Sequence, residues 1–273
     1  MQFKSSSWFP SEIITEIEEN GDFCKGLSRF KVHTKHGTLI MAWPMIEPTK
    51  IGFWNNLSDI IDAKKIKAWG IASSFNFKKI NSVTKIPEKQ KPIFLLSGEK
   101  EIVAKYNPFL SSNRETKLYK KGIDDFSIKV LGGLKLEKHD LILFYEKQKN
   151  EESFEDIVTT MLLNQNKSDL KTSFIEIGTI VGKFHKKMYD NVAPPIPEKW
   201  NDRLKRLEHI TSSNTLWRAP HSKFTEAIWT HGNLSLNKIV LGDDGTWKLT
   251  DFDGMLLQPL IDSTIRFPAI RDI

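Results

Sequence analysis

Runs of apolar residues along this chain change rhythm twice, and the changes mark out its elements. The stretch Ser11 to Glu19, closed by Asn20-Gly21, has the spacing and stop signal of a short helix. Arg29 to Thr34 and Thr38 to Trp43 alternate on either side of Lys35-His36-Gly37, which predicts a hairpin. Helical spacing returns at Leu57, Ile60 and Ile61 and is broken at Ala68-Trp69-Gly70. The next region is strand-rich. Lys79 to Ile86, Pro92 to Leu96 and Lys100 to Tyr106 read as three adjacent antiparallel strands, with Pro87 to Lys91 and Ser97-Gly98-Glu99 as their connections. A short helix beginning near Ser112 and Glu115 follows, then strand patterns at Ser127 to Leu131 and Asp140 to Glu146.

From Glu151 onward the apolar period becomes helical. Phe154, Ile157, Val158, Met161 and Leu162 form one stripe, and Phe174, Ile175, Ile177, Gly178, Val181, Gly182, Phe184 and His185 lie on another. Pro194-Pro195-Ile196-Pro197 stops that run, Trp200 to His209 predicts one more helix, and Ile239-Val240-Leu241 with Trp247 to Leu249 predicts a hairpin. The pattern predicts an α+β fold in three segments: an N-terminal cap over residues 1–76, a strand-rich lobe over 77–147, and a helical lobe over 148–273.

Composition narrows the function classes without choosing among them. No apolar run approaches the roughly 20 residues that span a bilayer, and Met1 to Pro10 lacks a signal-peptide core, so a cytoplasmic protein without a membrane partner is expected. Cys24 is the sole cysteine, which excludes an intrachain disulfide or a cysteine zinc cluster. The net charge of +6 attracts anions, but the lysines are spread through every segment, which disfavours a nucleic-acid footprint.

The chemistry-bearing residues concentrate in a few places. Lys105 ends the apolar strand Ile102-Val103-Ala104, where an ammonium could reach phosphate oxygens; a surface lysine on an edge strand has the same sequence. Glu115, ten residues on, could hold Lys105 in place, or could cap the helix by bonding back to Ser112. Asp251 and Asp253 in Asp251-Phe252-Asp253-Gly254 are hard oxygen ligands two residues apart, suited to magnesium, in a segment that also suits a plain turn. The loop His231-Gly232-Asn233 lies some twenty residues upstream, and its coupling to the acidic pair favours one site over a turn. Neither His231, whose ring suits backbone hydrogen bonds, nor His185, on an apolar stripe, reads as catalytic.

These residues resemble the aminoglycoside-phosphotransferase-like kinases, and within them the maltokinase and glucosamine kinase branch. The resemblance runs from about Ile93 to Ile273, through Ile102 to Lys105 with Glu115, Ile177 to His185, His231-Gly232, Asp251 to Gly254, and Arg266 to Ile273. It implies a bilobal protein-kinase-like fold with an extra N-terminal α+β cap, and ATP and Mg²⁺ as cofactors. Lys105 would contact the nucleotide phosphates and Glu115 would orient it. Phe144 to Lys147, including Glu146 and Lys147, would form the hinge near adenine, and Asp251 would bind magnesium.

Two positions depart from the family pattern. Asn233 stands where the catalytic Asp is expected, and an amide cannot accept the acceptor's proton at neutral pH. Lys238 stands where a metal-binding Asn or Gln is expected; Asn237, one residue earlier, is the ligand that a shifted loop would supply. Related kinases also continue into further helices beyond the point where this sequence stops. An incomplete helical lobe is therefore expected, with an uncovered C-terminal face available for self-association. The function implied is an ATP-dependent phosphotransferase acting on a sugar or amino sugar hydroxyl. The alternative is a catalytically idle kinase-like protein that binds a nucleotide or a partner.

Overall fold

The computed structural model describes residues 14–24, 26–34, 37–61, 66–86, 92–110, 114–119, 121–137, 139–148, 152–190, 227–231, 234–252 and 256–259. The chain divides into two compact units, one within Met1–Thr116 and Lys129–Lys147, the other within Lys117–Ile128 and Gln148–Ile273. Residues 1–76 and most of 77–147 thus contribute to a single unit. Among the described residues no helix is long and apolar enough to cross a membrane.

The first unit opens with a three-stranded antiparallel sheet of β1 (Ile14–Cys24), β2 (Leu27–Thr34) and β3 (Gly37–Pro44), in that order. The β2–β3 hairpin matches the alternation in the sequence, but β1 replaces the helix expected over Ser11 to Glu19. A bulge explains the difference. Between Ile14 and Glu16 the pairing moves on by two residues in β1 but by only one in β2. Ile14 and Ile17 therefore pack on the same small cluster, with Phe30, Val32 and Met41. Three-residue spacing on one face of a bulged strand imitates the helical period.

Two one-turn helices follow, α1 (Ile51–Asn55) and α2 (Leu57–Ile61), then β4 (Ile66–Gly70), β5 (Ser82–Lys85), β6 (Ile93–Ser97) and β7 (Ile102–Tyr106). After the short helix α3 (Arg114–Tyr119) come β8 (Val130–Leu136) and β9 (His139–Glu146). These strands build a six-stranded antiparallel sheet in the order β4-β8-β9-β7-β6-β5. The three adjacent strands expected at its β5 edge are present. At the other edge, Ala68-Trp69-Gly70 belongs to a strand instead of merely ending a helix. Its backbone runs so close to β8 that a Cβ at Gly70, where φ is 60°, would stand 2.3 Å from the Leu131 carbonyl oxygen. The same approach lets β8 run through Gly132-Gly133, glycines that on sequence alone read as the end of a strand over Ser127 to Leu131.

One face of the six-stranded sheet is apolar. Phe94, Leu96, Ile102, Ala104, Tyr106, Ile142 and Phe144 are buried there with Phe53 and Trp54 of α1. Tyr106 is the fastening between the two sheets: its hydroxyl donates to the Ala42 carbonyl at 2.6 Å, while the Ala42 amide donates to the Pro108 carbonyl at 2.8 Å. Burial pushes the Tyr106 phenol well above its ordinary pKa, so it remains a donor.

The second unit is built on α4 (Phe154–Leu163) and α5 (Lys167–Tyr189), the helices expected from the change of period. Ser153 and Asp156 close a capping box at the start of α4, and Asn166 caps α5 by accepting from the Asp169 amide. Beside them lie a two-stranded sheet of β10 (Ala227–Thr230) and β13 (Leu256–Pro259), and the expected hairpin of β11 (Ile239–Leu241) and β12 (Trp247–Leu249). Phe154, Ile177, Phe184, Met188, Ile239, Trp247, Leu249 and Phe252 form the core, and the Trp247 indole donates to Glu176 on α5 at 3.0 Å. His185 is half-buried beside Phe184, 5.7 Å between ring centres. The helix expected over Trp200 to His209 lies outside the described residues.

Candidate functional site

Strand geometry places Lys105 on the face of the six-stranded sheet opposite the apolar core. Residues directly opposite one another in an antiparallel pair project to the same side, and β7 pairs with β9 so that Lys105 faces Leu143 and Val103 faces Tyr145. Helix α3 brings a carboxylate to that side. The Lys105 ammonium donates to Glu115 Oε2 at 3.0 Å, and the Tyr145 hydroxyl donates to Glu115 Oε1 at 2.7 Å. The lysine and glutamate side chains are only 3% and 5% exposed. Both oxygens of Glu115 are thus engaged within the site, on Lys105 and on Tyr145.

Tyr145 is a member of this group that sequence reasoning missed. Its signal was available: it lies two positions past Leu143 in a strand, and hence on the side that Lys105 shares. A second buried group lies next to the first. Thr116, adjacent to Glu115 on α3, donates to Asp140 Oδ2, and Lys135 stands 3.7 Å from Asp140 Oδ1. Burial raises the Asp140 carboxyl above its ordinary pKa; the Thr116 hydroxyl and the Lys135 ammonium oppose that rise, and the Glu115 charge adds to it.

A carboxyl whose pKa is raised in the folded state binds its proton more tightly there than in the unfolded chain. Its contribution therefore favours folding below the ordinary value of 3.8 and is lost as pH rises from there through the raised folded value. Replacing Asp140 by Asn keeps an acceptor for Thr116 and removes that loss. Relative to the parent, Asp140→Asn is expected to gain stability between about pH 3 and pH 7, in urea melts at a series of pH values. A stability difference that does not change across that range would contradict the assignment.

Glu146 and Lys147, the residues expected near adenine, lie at the end of β9 and just beyond it. Glu146 is exposed at the end of β9. Lys147 pairs at 2.7 Å with Glu101, whose carboxyl is lowered first by that hydrogen bond and then by the Lys147 charge.

The second unit holds the other half of the candidate chemistry. His231 is fully buried, its Nε2 lies 2.7 Å from the Thr250 carbonyl, and its ring packs on Phe252 with 4.7 Å between centres. A carbonyl only accepts, so Nε2 carries the proton and the ring holds backbone, the structural part expected of it. Thr250 is also tied to Lys238: its amide and its hydroxyl donate to the Lys238 carbonyl at 2.8 Å and 3.2 Å. Asp251 follows with φ at 61°, a left-handed conformation that Asp tolerates better than most residues.

The Asp251 carboxylate meets a cation that belongs to the chain. Lys238 Nζ lies 3.3 Å from Asp251 Oδ2, with the two side chains 16% and 28% exposed. Asn237 is exposed, and its side-chain oxygen accepts from the Ser235 hydroxyl at 2.7 Å. Asn233 and Asp253 lie outside the described residues. Among the described residues, a carboxylate already paired with an ammonium does not suit magnesium, which wants near-octahedral oxygen ligands at about 2.0–2.1 Å. A divalent ion on Oδ2 itself would stand at most about 5.4 Å from the ammonium, where repulsion at an effective dielectric near 20 is about 6 kcal/mol before screening.

One further set of possible metal ligands, Glu16, Glu18 and His33, lies on the three-stranded sheet. Both carboxylates there are exposed, and Glu18 already pairs with His33 at 3.4 Å.

No family model matches the chain, and no curated protein matches it. Among solved structures it is similar to the choline kinase LicA from Streptococcus pneumoniae, at 15% identity over 75% of this chain and 71% of that one, with a TM-score of 0.39. A superposition that loose carries no argument about fold or activity.

Proposed function

We propose that this chain is a kinase-like nucleotide-binding protein, with Lys105 as the ligand of the ATP phosphates and a sugar or amino sugar hydroxyl as the acceptor of any phosphoryl transfer. The observation that carries this reading is the buried Lys105–Glu115 pair, oriented by Tyr145. Phosphoryl transfer asks a protein mainly to position reactants and neutralise charge, and a lysine held by a carboxylate is a recurring part of that machinery. A buried ion pair gives little net stability, so its presence in place of two apolar side chains fits a role in binding.

The idle variant of this reading has its own support. Asn233 cannot act as a base, and the Lys238 ammonium sits on the carboxylate expected to hold metal. Transfer is therefore slow or absent while nucleotide binding is kept. The test is a calorimetric ATP titration of the full chain and of Lys105→Met, beside an assay for ADP release with maltose and glucosamine among the acceptors. ATP binding that Lys105→Met abolishes supports the reading, and acceptor-dependent ADP release supports its transferase form. Absence of ATP binding by the folded parent overturns it.

A further inference from the structure

We propose that Asp140 is a positioning residue of the nucleotide site: through Thr116 it fixes helix α3 on the sheet, and so sets where Glu115 holds Lys105. This deepens the nucleotide-binding reading above and rests on it, but every residue in the chain of contacts belongs to the first unit.

A bulge aims Asp140 at the helix. Between Leu134 and Lys135 the pairing moves on by one residue in β8 but by two in β9, from Ile142 to Asp140. Regular alternation would have sent Asp140 into the core beside Ile142. The extra residue leaves Leu141 and Ile142 both in the core and turns Asp140 to the side of Lys135. Gly133, Leu143 and Lys105 lie on that same side, through the pairs Gly133 with Leu143 and Leu143 with Lys105.

Helix α3 has six residues, far fewer than the roughly 12–15 at which isolated helices become even marginal, so its direction comes from what it touches. Glu115 grips Lys105 on β7 and Tyr145 near the end of β9, and Thr116 grips Asp140 near the start of the same strand. Adjacent side chains leave a helix about 100° apart around its axis, so the two grips together fix the rotation of α3 as well as its place. Without the second, a turn of the helix would draw Glu115 off Lys105. Thr116 is 4% exposed and the Asp140 side chain 6%, which gives water little access to their bond. A buried carboxylate adds little net stability, and burial raises the pKa of this one; what it supplies here is orientation.

Two readouts on the full chain test this role. One is ATP affinity by calorimetry. The other needs no nucleotide: acylation of Lys105 by a limiting amine-reactive acetyl ester, read by peptide mass spectrometry against the exposed Lys78 of the same unit. Thr116→Val and Asp140→Leu remove the bond, whereas Thr116→Ser and Asp140→Asn keep a donor and an acceptor for it. The first two are each expected to lose about ten-fold in ATP affinity and to acylate Lys105 about ten-fold faster relative to Lys78, the change that one lost hydrogen bond gives. The conservative pair should stay within about three-fold of the parent in both readouts. Because both residues act through one bond, Thr116→Val/Asp140→Leu should lose no more than the larger single loss. Circular dichroism checks folding, and if Asp140→Leu does not fold, the similarly shaped Thr116→Val carries the test. A folded Thr116→Val protein that acylates Lys105 as slowly as the parent, or binds ATP as tightly, would overturn the inference. So would a Thr116→Ser protein as impaired as Thr116→Val. If the parent binds no ATP, the nucleotide reading fails, while the acylation rates still decide whether Asp140 sets the position of Lys105.

Discussion

Glu115→Ala is expected to cost about 3–5 kcal/mol of stability in the first unit, because it leaves the Lys105 ammonium buried with its carboxylate gone. Lys105 is 3% exposed and lies within β7, whose other face is core, so solvent has little access to the ammonium. Tyr145 would lose its acceptor in the same step. The double variant Lys105→Met/Glu115→Leu removes both charges, and its cost is expected to be far below the sum of the single variants. Hydrogen exchange of the β7 and β9 amides reports this unit without assuming that the whole chain unfolds in one step. A Glu115→Ala protein within about 1 kcal/mol of the parent would mean that the pair is solvated, as exposed ion pairs are. The same double variant separates stability from function: it should fold and fail to bind ATP.

Sequence showed the architecture where period and punctuation agreed, and lost it where a backbone device intervened. The β2–β3 and β11–β12 hairpins, the run of β5, β6 and β7, and helices α4 and α5 all follow from simple alternation or helical spacing. The bulge in β1 disguised a strand as a helix, and the close approach at Gly70 and Gly132 disguised a continuing strand as a break. The two candidate groups were hidden too. Whether Glu115 capped its own helix or reached Lys105 could not be read from a spacing that serves both, and only packing of α3 against the sheet decides it. The Lys238–Asp251 contact was hidden for another reason. Once Ile239 to Leu241 and Trp247 to Leu249 are read as a hairpin, positions 238 and 250 flank its open end, but strand alternation sends position 251 to the other face, and the left-handed backbone found at Asp251 has no sequence signal.

Restoring both departures, with Asn233→Asp and Lys238→Asn together, is expected to raise acceptor-dependent ADP release by about 10²–10⁴-fold, the range that a positioned general base contributes. Each change alone should do much less. An amide at 233 cannot take the acceptor's proton, so clearing Lys238 from Asp251 supplies no base. With Asp at 233 but Lys238 in place, the base is present while the Asp251 carboxylate stays neutralised by its own ion pair. Groups that act as a unit give strongly non-additive effects, so the diagnostic is the excess of the double variant over the product of the singles. The assay is ADP release from the full chain with ATP, a divalent salt and the sugar panel, with folding checked for each protein. A large excess would identify a phosphotransferase silenced at two positions. A double variant at the background rate, still binding ATP, would locate the function of this chain in binding.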